Sequence, residues 1–253
     1  MQFATYPSLK DVAVIVTGGA SGIGADIVRA FAAQDARVGF VDIDVARGAA
    51  LAAELSEGGQ RVAFEACDLK DIDALKAAFS ALEATNGPAG VLVNNAARDD
   101  RHGWEDVTPD YYDERIATNL RHMFFAIQAV APGMIAARKG SIINLGSNSW
   151  WQAVGNMPVY TTAKSAVHGM TRSFARDLGK HLIRVNTVVP GWVMTERQKE
   201  LWVTPESLEA NLQRQCLPVE IEPVYLARMV LFLASDDAAM CTANNFMVEA
   251  GSI

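Results

Sequence analysis

Short apolar runs alternate along the chain with longer segments whose apolar residues recur at every third or fourth position. The short runs are typical of buried parallel strands and cover 12–16, 37–42, 61–67, 90–97, 140–147, 183–189 and 245–248. The longer segments predict helices over 25–34, 45–57, 71–85, 109–136, 160–178 and 222–235. This alternation predicts an α/β fold with one doubly wound, Rossmann-type parallel sheet.

Two segments interrupt the alternation. Residues 98–104 form a charged loop after the fourth apolar run, and Pro190-Gly191 breaks the pattern and opens a variable segment over 192–217. Because open α/β folds bind ligands at the carboxyl ends of their strands, we expect both segments to face a substrate. The alternative for the charged loop is a solvated surface loop. No repeat or linker divides the chain, which predicts a single domain over 1–253.

The first predicted strand leads into the glycine-rich sequence Thr17-Gly-Gly-Ala-Ser-Gly-Ile-Gly24 and then into a predicted helix. Glycines let the backbone approach a phosphate, and the free N–H groups at a helix N-terminus attract negative charge. The alternative is an ordinary tight turn. The order of strand, glycine turn and helix favours a dinucleotide site.

Acidic residues follow the second and third predicted strands. Asp42 is placed to accept hydrogen bonds from an adenosine ribose and to repel a 2′-phosphate. No Lys or Arg lies within 18–24, so the sequence favours NAD over NADP, although Arg47 leaves NADP open. Asp68-Leu69 is expected at the adenine, and Asp68 is alternatively the N-cap of the following helix.

Tyr160 and Lys164 are four residues apart in a predicted helix and therefore lie on one face. An ammonium one turn away is expected to lower the pKa of the phenol, making Tyr160 an acid or base near neutral pH. Asn119 is a polar residue inside an apolar helix, and is either a satisfied core amide or part of a site. Ser147 ends the fifth predicted strand.

Composition narrows the functional classes. The formal charge is −7 and there is no basic run, so nucleic acid and anionic membranes are not expected partners. The three cysteines and four histidines show no metal-ligand spacing, so no metal site is expected and the cysteines are expected to be reduced. The sequence shows no signal peptide and no apolar run of membrane-spanning length, which predicts a soluble, cytoplasmic protein.

Several motifs, taken in order, resemble those of the short-chain dehydrogenase/reductase superfamily over about 9–251. They are Thr17-Gly18-(x)3-Gly22-x-Gly24, Asp68, Asn94-Asn95-Ala96, Asn119, Ser147, Tyr160-(x)3-Lys164 and Pro190-Gly191. The resemblance implies a seven-stranded sheet of order 3-2-1-4-5-6-7 and a homotetramer or homodimer. Stretches within 95–102, 112–134, 188–198 and 231–237 are similar to bacterial NAD-dependent sugar dehydrogenases, D-xylose 1-dehydrogenases among them.

The resemblance also implies roles for single residues. Tyr160 is the acid/base, Lys164 lowers its pKa and holds the nicotinamide ribose, and Ser147 binds the reacting oxygen. Asn119 anchors a water-mediated proton relay, and Thr195 contacts the nicotinamide carboxamide. The other residues expected at the cofactor are Gly18, Ser21, Gly22, Ile23, Gly24, Asp42, Asp68, Leu69, Asn95, Ala96, Pro190, Gly191 and Val193. Those expected at the substrate, with Ser147 and Tyr160, are Asn95, Asp99, Arg101, Trp151 and Gln198.

The sequence departs from the superfamily pattern at Ala97, where Gly is usual, and at Ala243 and Glu249-Ala250, where Thr-Gly and Asp-Gly are common. The last departure is expected to alter subunit contacts. The expected reaction is NAD-dependent oxidation of the anomeric hydroxyl of an aldose, a pentose such as xylose or a similar sugar, to its lactone. Alternatives are oxidation of a secondary alcohol in a sugar acid or other small hydroxy compound, and a non-catalytic NAD-binding scaffold or sensor. Trp151 is alternatively a packing residue.

Overall fold

The computed structural model of the protein describes residues 3–252, so Met1, Gln2 and Ile253 of the predicted domain lie outside the described residues. Its seven strands are β1 (Ala13–Thr17), β2 (Arg37–Asp42), β3 (Arg61–Ala66), β4 (Val91–Asn94), β5 (Gly140–Leu145), β6 (Ile183–Pro190) and β7 (Asn245–Val248). They form one parallel sheet in the order β3-β2-β1-β4-β5-β6-β7, which confirms the predicted order. Strands β2 and β3 are added on one side of β1, and β4 to β7 on the other. Open α/β folds place their ligands at this switch in strand order, between β1 and β4.

Helices cover both faces of the sheet. They are α1 (Gly22–Ala32), α2 (Val45–Glu57), α3 (Ile72–Asn86), α4 (Pro109–Ile116), α5 (His122–Ala137), α6 (Pro158–Leu178), α7 (Glu196–Leu201), α8 (Pro205–Arg214) and α9 (Pro223–Ala234). The predicted helices are present with ends shifted by a few residues. Helices α7 and α8 lie in the segment 192–217, where periodicity predicted no regular structure.

Side chains that alternate along each strand supply the two halves of the core. In β1, Val14 and Val16 pack with α1, α2 and α9, whereas Ile15 packs on the opposite face with α3, α5 and the end of α6. Because strand residues alternate with a period of two, one apolar strand buries both of its faces. The register aligns Thr17 with Val41 and Asn94, which brings three strand ends to one edge.

The long helix predicted over 109–136 is interrupted in the structure. Helix α4 passes through a π-helical segment, Ala117–Arg121, before α5 begins. The combined run Pro109–Ala137 is long and apolar enough to span a membrane, contrary to the expectation that no run reaches this length. Within the described residues, however, α5 packs on α3 and buries Ile127 and Met134 in the core. A core helix satisfies the same test of length and composition.

Two of the sequence departures coincide with unusual backbone conformations. Ala243 has φ = 61° and Ala250 has φ = 58°, both in the left-handed region that glycine adopts readily. Glycine is common in the superfamily at both positions, so the fold keeps this backbone path although alanine occupies it. Glu249, which precedes Ala250, is buried, and its carboxylate accepts hydrogen bonds from the Gly251 and Ser252 N–H groups.

Candidate active site

A cavity of about 960 Å³ opens at the carboxyl ends of the strands. It brings together every residue predicted for catalysis, for the cofactor or for the substrate except the catalytic candidate Asn119 and the substrate candidate Trp151. Those that line it are Gly18, Ser21, Gly22, Ile23, Gly24, Asp42, Asp68, Leu69, Asn95, Ala96, Asp99, Arg101, Ser147, Tyr160, Lys164, Pro190, Gly191, Val193, Thr195 and Gln198. One continuous space therefore spans the glycine loop, the Tyr-Lys pair and the segment after β6.

The glycine loop is shaped to admit a close ligand. Gly18 has φ = 65°, and a Cβ at this position would lie 2.8 Å from Cα of Ala96. The Asn95 side-chain amide donates to the carbonyl oxygens of Thr17 and Gly18 at 3.1 and 2.8 Å and so fixes the loop. Ser21, the N-cap of α1, makes no side-chain capping hydrogen bond. The first residues of α1, Gly22 and Ile23, line the cavity without a side-chain cap from Ser21, an arrangement that fits a dinucleotide phosphate.

The carboxylate of Asp42 is held in place at the end of β2. Its two oxygens accept from the N–H groups of Ala20 and Asp44 at 2.9 and 3.0 Å. Each oxygen keeps a second lone pair, so the group can still accept hydrogen bonds from a ribose. Arg47 also lines the cavity, but it is exposed and lies 3.7 Å from the Asp44 carboxylate. This geometry fits a ribose better than a 2′-phosphate.

Asp68 does not cap the following helix, contrary to the alternative considered for it. Asp71 is the N-cap of α3, and its carboxylate accepts from the N–H groups of Asp73 and Ala74, each at 3.0 Å. The Asp68 carboxylate instead accepts from the Lys70 N–H at 3.0 Å and lines the cavity beside Leu69. This position is compatible with the predicted adenine contact.

Tyr160 and Lys164 lie in the first turns of α6 and line the cavity together. The Lys164 side chain is 1% exposed, and its Nζ donates to the Leu145 carbonyl oxygen at 2.7 Å. The same Nζ lies 5.8 Å from the centroid of the Tyr160 ring. Since Leu145 ends β5, the sheet itself fixes the ammonium next to the phenol.

Burial, rather than the neighbouring ammonium, dominates the pKa values of this pair. Burial raises the pKa of the Tyr160 phenol, the Asp99 carboxylate raises it further, and the Ser147 hydroxyl and Arg101 oppose both. Burial also lowers the pKa of Lys164 to about 8, against the opposing effect of Asp99. The expected lowering of the Tyr160 pKa is therefore wrong for this structure, because residue spacing gives a shared face but does not reveal desolvation.

Ser147 lies two residues beyond the end of β5 and is oriented by a second serine. Its Oγ donates to Ser149 Oγ at 3.0 Å and accepts from the Ser149 N–H at 3.1 Å. Both serines are buried and line the cavity. Ser149 was not singled out in the sequence, although its position two residues after Ser147 in a polar stretch is compatible with such a turn.

Asn119 is buried inside the π-helical segment. Its Nδ2 donates to the Arg115 carbonyl oxygen at 3.0 Å, and its Oδ1 accepts from the Arg98 N–H at 2.8 Å. The side chain thus satisfies a carbonyl at the helix irregularity and fixes the start of the charged loop 98–104. This agrees with the alternative of a satisfied core amide, and the predicted relay through Asn119 stays a prediction.

Helix α7 closes the substrate end of the cavity. The Gln198 side chain donates to Asp99 Oδ2 at 2.8 Å and accepts from Trp192 Nε1 at 2.8 Å. The neighbouring Arg197 forms an ion pair with Asp100. The charged loop 98–104 is therefore joined to the segment 192–217 and is not a freely solvated loop. The sequence analysis did not identify Arg197, because its partner Asp100 is distant in sequence.

A family model described as "Enoyl-(Acyl carrier protein) reductase" matches residues 18–252 of the chain. The chain belongs to the short-chain dehydrogenase/reductase family. It is therefore an oxidoreductase, in agreement with the motifs and with the sheet order. The match covers the glycine loop, the Tyr-Lys pair and helices α7 and α8, so the complete cavity lies within the matched region.

Curated relatives extend over almost the whole chain. The chain is 49% identical over 251 residues to D-xylose 1-dehydrogenase of Caulobacter vibrioides, covering 99% of each chain. It is 45% identical over 247 residues to a protein of Rhizobium meliloti named as a galactose dehydrogenase, covering 97% of this chain and 96% of that one. It is 34% identical to D-threitol dehydrogenase of Mycolicibacterium smegmatis.

Solved structures share the fold. A 3-oxoacyl-[acyl-carrier protein] reductase from Brucella melitensis superimposes with a TM-score of 0.92 at 30% identity, covering 100% of this chain and 98% of that one. A second structure of such a reductase from Brucella melitensis, with bound NAD, gives a TM-score of 0.89 at 30% identity with the same coverage. These similarities agree with the α/β architecture described above.

Trp151 does not line the cavity, so its predicted substrate contact is not supported. Its ring stacks on Trp150 with 3.9 Å between ring centroids, and both rings contact His168. The alternative of a packing residue fits this position. Trp192 and Trp202 line the cavity instead. Sequence reasoning missed them because an aromatic residue carries no signal that distinguishes packing from ring binding.

Proposed function

We propose that this chain is a NAD-dependent sugar dehydrogenase that oxidises the anomeric hydroxyl of an aldose, a pentose such as xylose or a similar sugar, to the lactone. The observation that carries the proposal is one cavity in which the Ser147, Tyr160 and Lys164 side chains meet a polar wall containing Asp99 and Gln198. The full-length similarity to D-xylose 1-dehydrogenase supports the choice of substrate.

NAD fits the opposite end of the cavity. The uncapped N-terminus of α1 and the close approach of Gly18 to Ala96 suit a pyrophosphate, and Asp42 suits the adenosine ribose. Thr195 approaches Gly22, since a Cβ at Gly22 would lie 3.2 Å from Thr195 Cγ2. Thr195 is thus close enough to the glycine loop to face the nicotinamide end. When bound, NAD⁺ supplies the acceptor for the hydride that leaves C1 of the sugar.

Tyr160 acts as the base in this proposal. Its phenolate oxygen takes the proton of the anomeric hydroxyl while the C1–H bond breaks and the C1–O bond becomes a carbonyl. On substrate binding the Ser147 hydroxyl turns its single proton from Ser149 Oγ to the reacting oxygen, while the Ser149 N–H continues to hold Ser147 Oγ in place. Because burial raises the pKa of Tyr160, the phenolate needs nearby positive charge, which Lys164 supplies while protonated. The oxidation rate is therefore expected to rise from neutral pH and to stop rising once Lys164 loses its proton, at its pKa of about 8.

The sugar hydroxyls would be recognised by the polar wall at the α7 end of the cavity. Asp99 accepts hydrogen bonds, Gln198 and Arg101 donate them, and all three line the cavity. The Arg101 guanidinium lies 5.3 Å from the centroid of the Trp202 ring, which gives this wall an aromatic face next to a cation. Asn95 contributes less to the substrate, because its amide N–H groups are already bound to the glycine loop.

We also propose that the enzyme is a cytoplasmic homotetramer or homodimer whose partner in the cavity is a small sugar. The support for association is an exposed aromatic patch on α5 and α6. Phe124 is 45% exposed, and its ring lies 5.6 Å from that of Phe125 and 5.1 Å from that of Phe174, measured between centroids. Exposed contiguous apolar surface of this kind favours association with another protein chain.

The decisive experiment measures NADH formation with NAD⁺ and a panel of pentoses, hexoses, deoxy sugars and aldonic acids, repeated with NADP⁺. Turnover of free aldoses is expected, and activity confined to acids or simple secondary alcohols would reject oxidation at C1. Tyr160→Phe is expected to lower kcat on the order of 10²- to 10⁴-fold with NAD binding retained. Tyr225→Phe, at an exposed tyrosine of α9, is the matched control. Unchanged turnover in Tyr160→Phe would exclude Tyr160 as the base.

A further inference from the structure

The His102 side chain connects three parts of the protein next to the cavity. Its Nδ1 lies 3.0 Å from the Asp100 carbonyl oxygen and 3.0 Å from the Tyr111 hydroxyl of α4. Its Nε2 lies 3.2 Å from the backbone nitrogen of Val159 in α6. The imidazole therefore joins the charged loop, α4 and the helix that carries the Tyr-Lys pair.

The partners of His102 determine its protonation. A backbone N–H can only donate, so the Val159 N–H requires a lone pair on Nε2. A backbone carbonyl oxygen can only accept, so the Asp100 carbonyl requires a proton on Nδ1. Both contacts are satisfied together by the neutral ring with its proton on Nδ1. His102 is thus an acceptor for the helix and a donor to its own loop at the same time.

Among residues 3–252, no other side chain caps the first turn of helix α6. The N-cap residue, Met157, makes no side-chain capping hydrogen bond, and Pro158 has no N–H. The Val159 N–H is therefore the first donor of the helix, and its residue is only 4% exposed. Buried N–H groups at helix starts need an acceptor. His102, far away in sequence, provides the acceptor that a capping Ser or Asp normally supplies.

Two further contacts attach the same loop to the start of α6. The His102 N–H donates to the Asn156 carbonyl oxygen at 2.8 Å, and the Arg101 guanidinium lies 2.9 Å from the Met157 sulfur. The loop that presents Asp99 and Arg101 to the cavity is therefore fixed against the residues that immediately precede Tyr160. A shift at this junction would change the distance between the sugar-binding wall and the phenol.

We propose that His102 is a positioning residue that caps the catalytic helix through Nε2 and sets the place of Tyr160 relative to the loop that binds the sugar. The inference rests on the proposed role of Tyr160 as the base. His102 touches neither the reacting atoms nor the cofactor in this assignment. Its effect is on geometry, and small misplacements of a catalytic group reduce the rate strongly.

Replacing His102 by Gln or by Asn distinguishes the contribution of Nε2 from that of Nδ1. In His102→Gln the side-chain oxygen reaches about the position of Nε2 and can accept from the Val159 N–H. In His102→Asn the shorter side chain reaches only about the position of Nδ1. We expect His102→Asn to lower kcat for the aldose about tenfold or more, with NAD binding unchanged, and His102→Gln to remain within about threefold of the wild type. His181→Asn, at a half-buried histidine after α6, is the matched control.

Amide hydrogen exchange at the start of α6 provides a readout that does not depend on turnover. The peptide containing Val159 is expected to exchange faster in His102→Asn than in the wild type, and His102→Gln is expected to restore its protection. Equal behaviour of the two variants in both rate and exchange, whether both change or neither does, would overturn the proposal. If the wild type oxidises no aldose, the proposed function fails, and the exchange comparison alone then decides whether His102 caps the helix.

Discussion

The Tyr-Lys pair illustrates what the environment of a single residue adds to a sequence motif. The four-residue spacing correctly predicts that Tyr160 and Lys164 share one helical face, and the structure places both at the cavity. It does not predict that Lys164 is buried against the Leu145 carbonyl oxygen or that Asp99 faces the pair. These surroundings come from β5 and the charged loop, which are distant in sequence. The motif therefore identified the residues but gave the wrong direction for the phenol pKa.

The low pKa of Lys164 predicts a specific pH dependence of stability. Because its folded pKa of about 8 is below its ordinary value of 10.5, the folded protein binds fewer protons than the unfolded chain between these pH values. As pH rises from about 8 to 10.5, the earlier loss of the Lys164 proton in the folded state therefore increases the free energy of unfolding. The increase is at most about 1.4 kcal/mol per pH unit. The raised pKa of Tyr160 acts in the opposite direction only above its ordinary value of 10.0.

Urea denaturation of the wild type and Lys164→Met at about pH 7, 8.5 and 9.5 checks this prediction. As pH rises, the free energy of unfolding of the wild type is expected to increase relative to that of Lys164→Met. Lys139→Met, at a lysine with a 68% exposed side chain, is the control and is expected to show no such trend. A pH-independent difference for Lys164→Met would show that the lysine does not lose its proton early.

At the scale of elements, hydrophobic periodicity predicted the helices that cover the sheet but not their irregularities. Asn119 in the π-helical segment makes hydrogen bonds to Arg115 within the helix and to Arg98 in the loop. The second bond cannot be read from periodicity. Helices α7 and α8 were missed because they are short and mostly exposed, so they carry little apolar pattern.

Replacement of Asn119 tests whether the π-helical segment depends on this side chain. Asn119→Ala leaves the buried Arg115 carbonyl oxygen and the partly buried Arg98 N–H without their partner. We expect the free energy of unfolding to fall by about 1–3 kcal/mol, as measured by urea denaturation. Asn244→Ala, at an exposed asparagine, is the control and is expected to change it by less than about 0.5 kcal/mol. A similar small change in Asn119→Ala would mean that the segment forms without the amide.

For the whole molecule, the family resemblance implied the sheet order, and the predicted parallel sheet explains why most of the predicted residues meet in one cavity. Parallel strands end at one edge, so residues that follow β1, β2, β4 and β5 converge there whatever their separation in sequence. Trp151 follows β5 but does not line the cavity, because its ring stacks on Trp150. Pairings such as Arg197 with Asp100 depend on how α7 folds back over the cavity, which strand order does not determine.

The aromatic patch on α5 and α6 leads to a prediction about assembly. Phe124 is exposed, whereas its neighbour Phe174 is partly buried at the margin of the core, so a charge at position 124 should leave the fold intact. Phe124→Glu is expected to convert a wild-type dimer or tetramer into a smaller species, because an unpaired carboxylate would have to be buried in the interface. Size-exclusion chromatography with light scattering measures the mass. Met240→Glu, at a methionine that is 94% exposed, is the control. A monomeric wild type, or an unchanged mass in Phe124→Glu, would exclude this patch as the site of association.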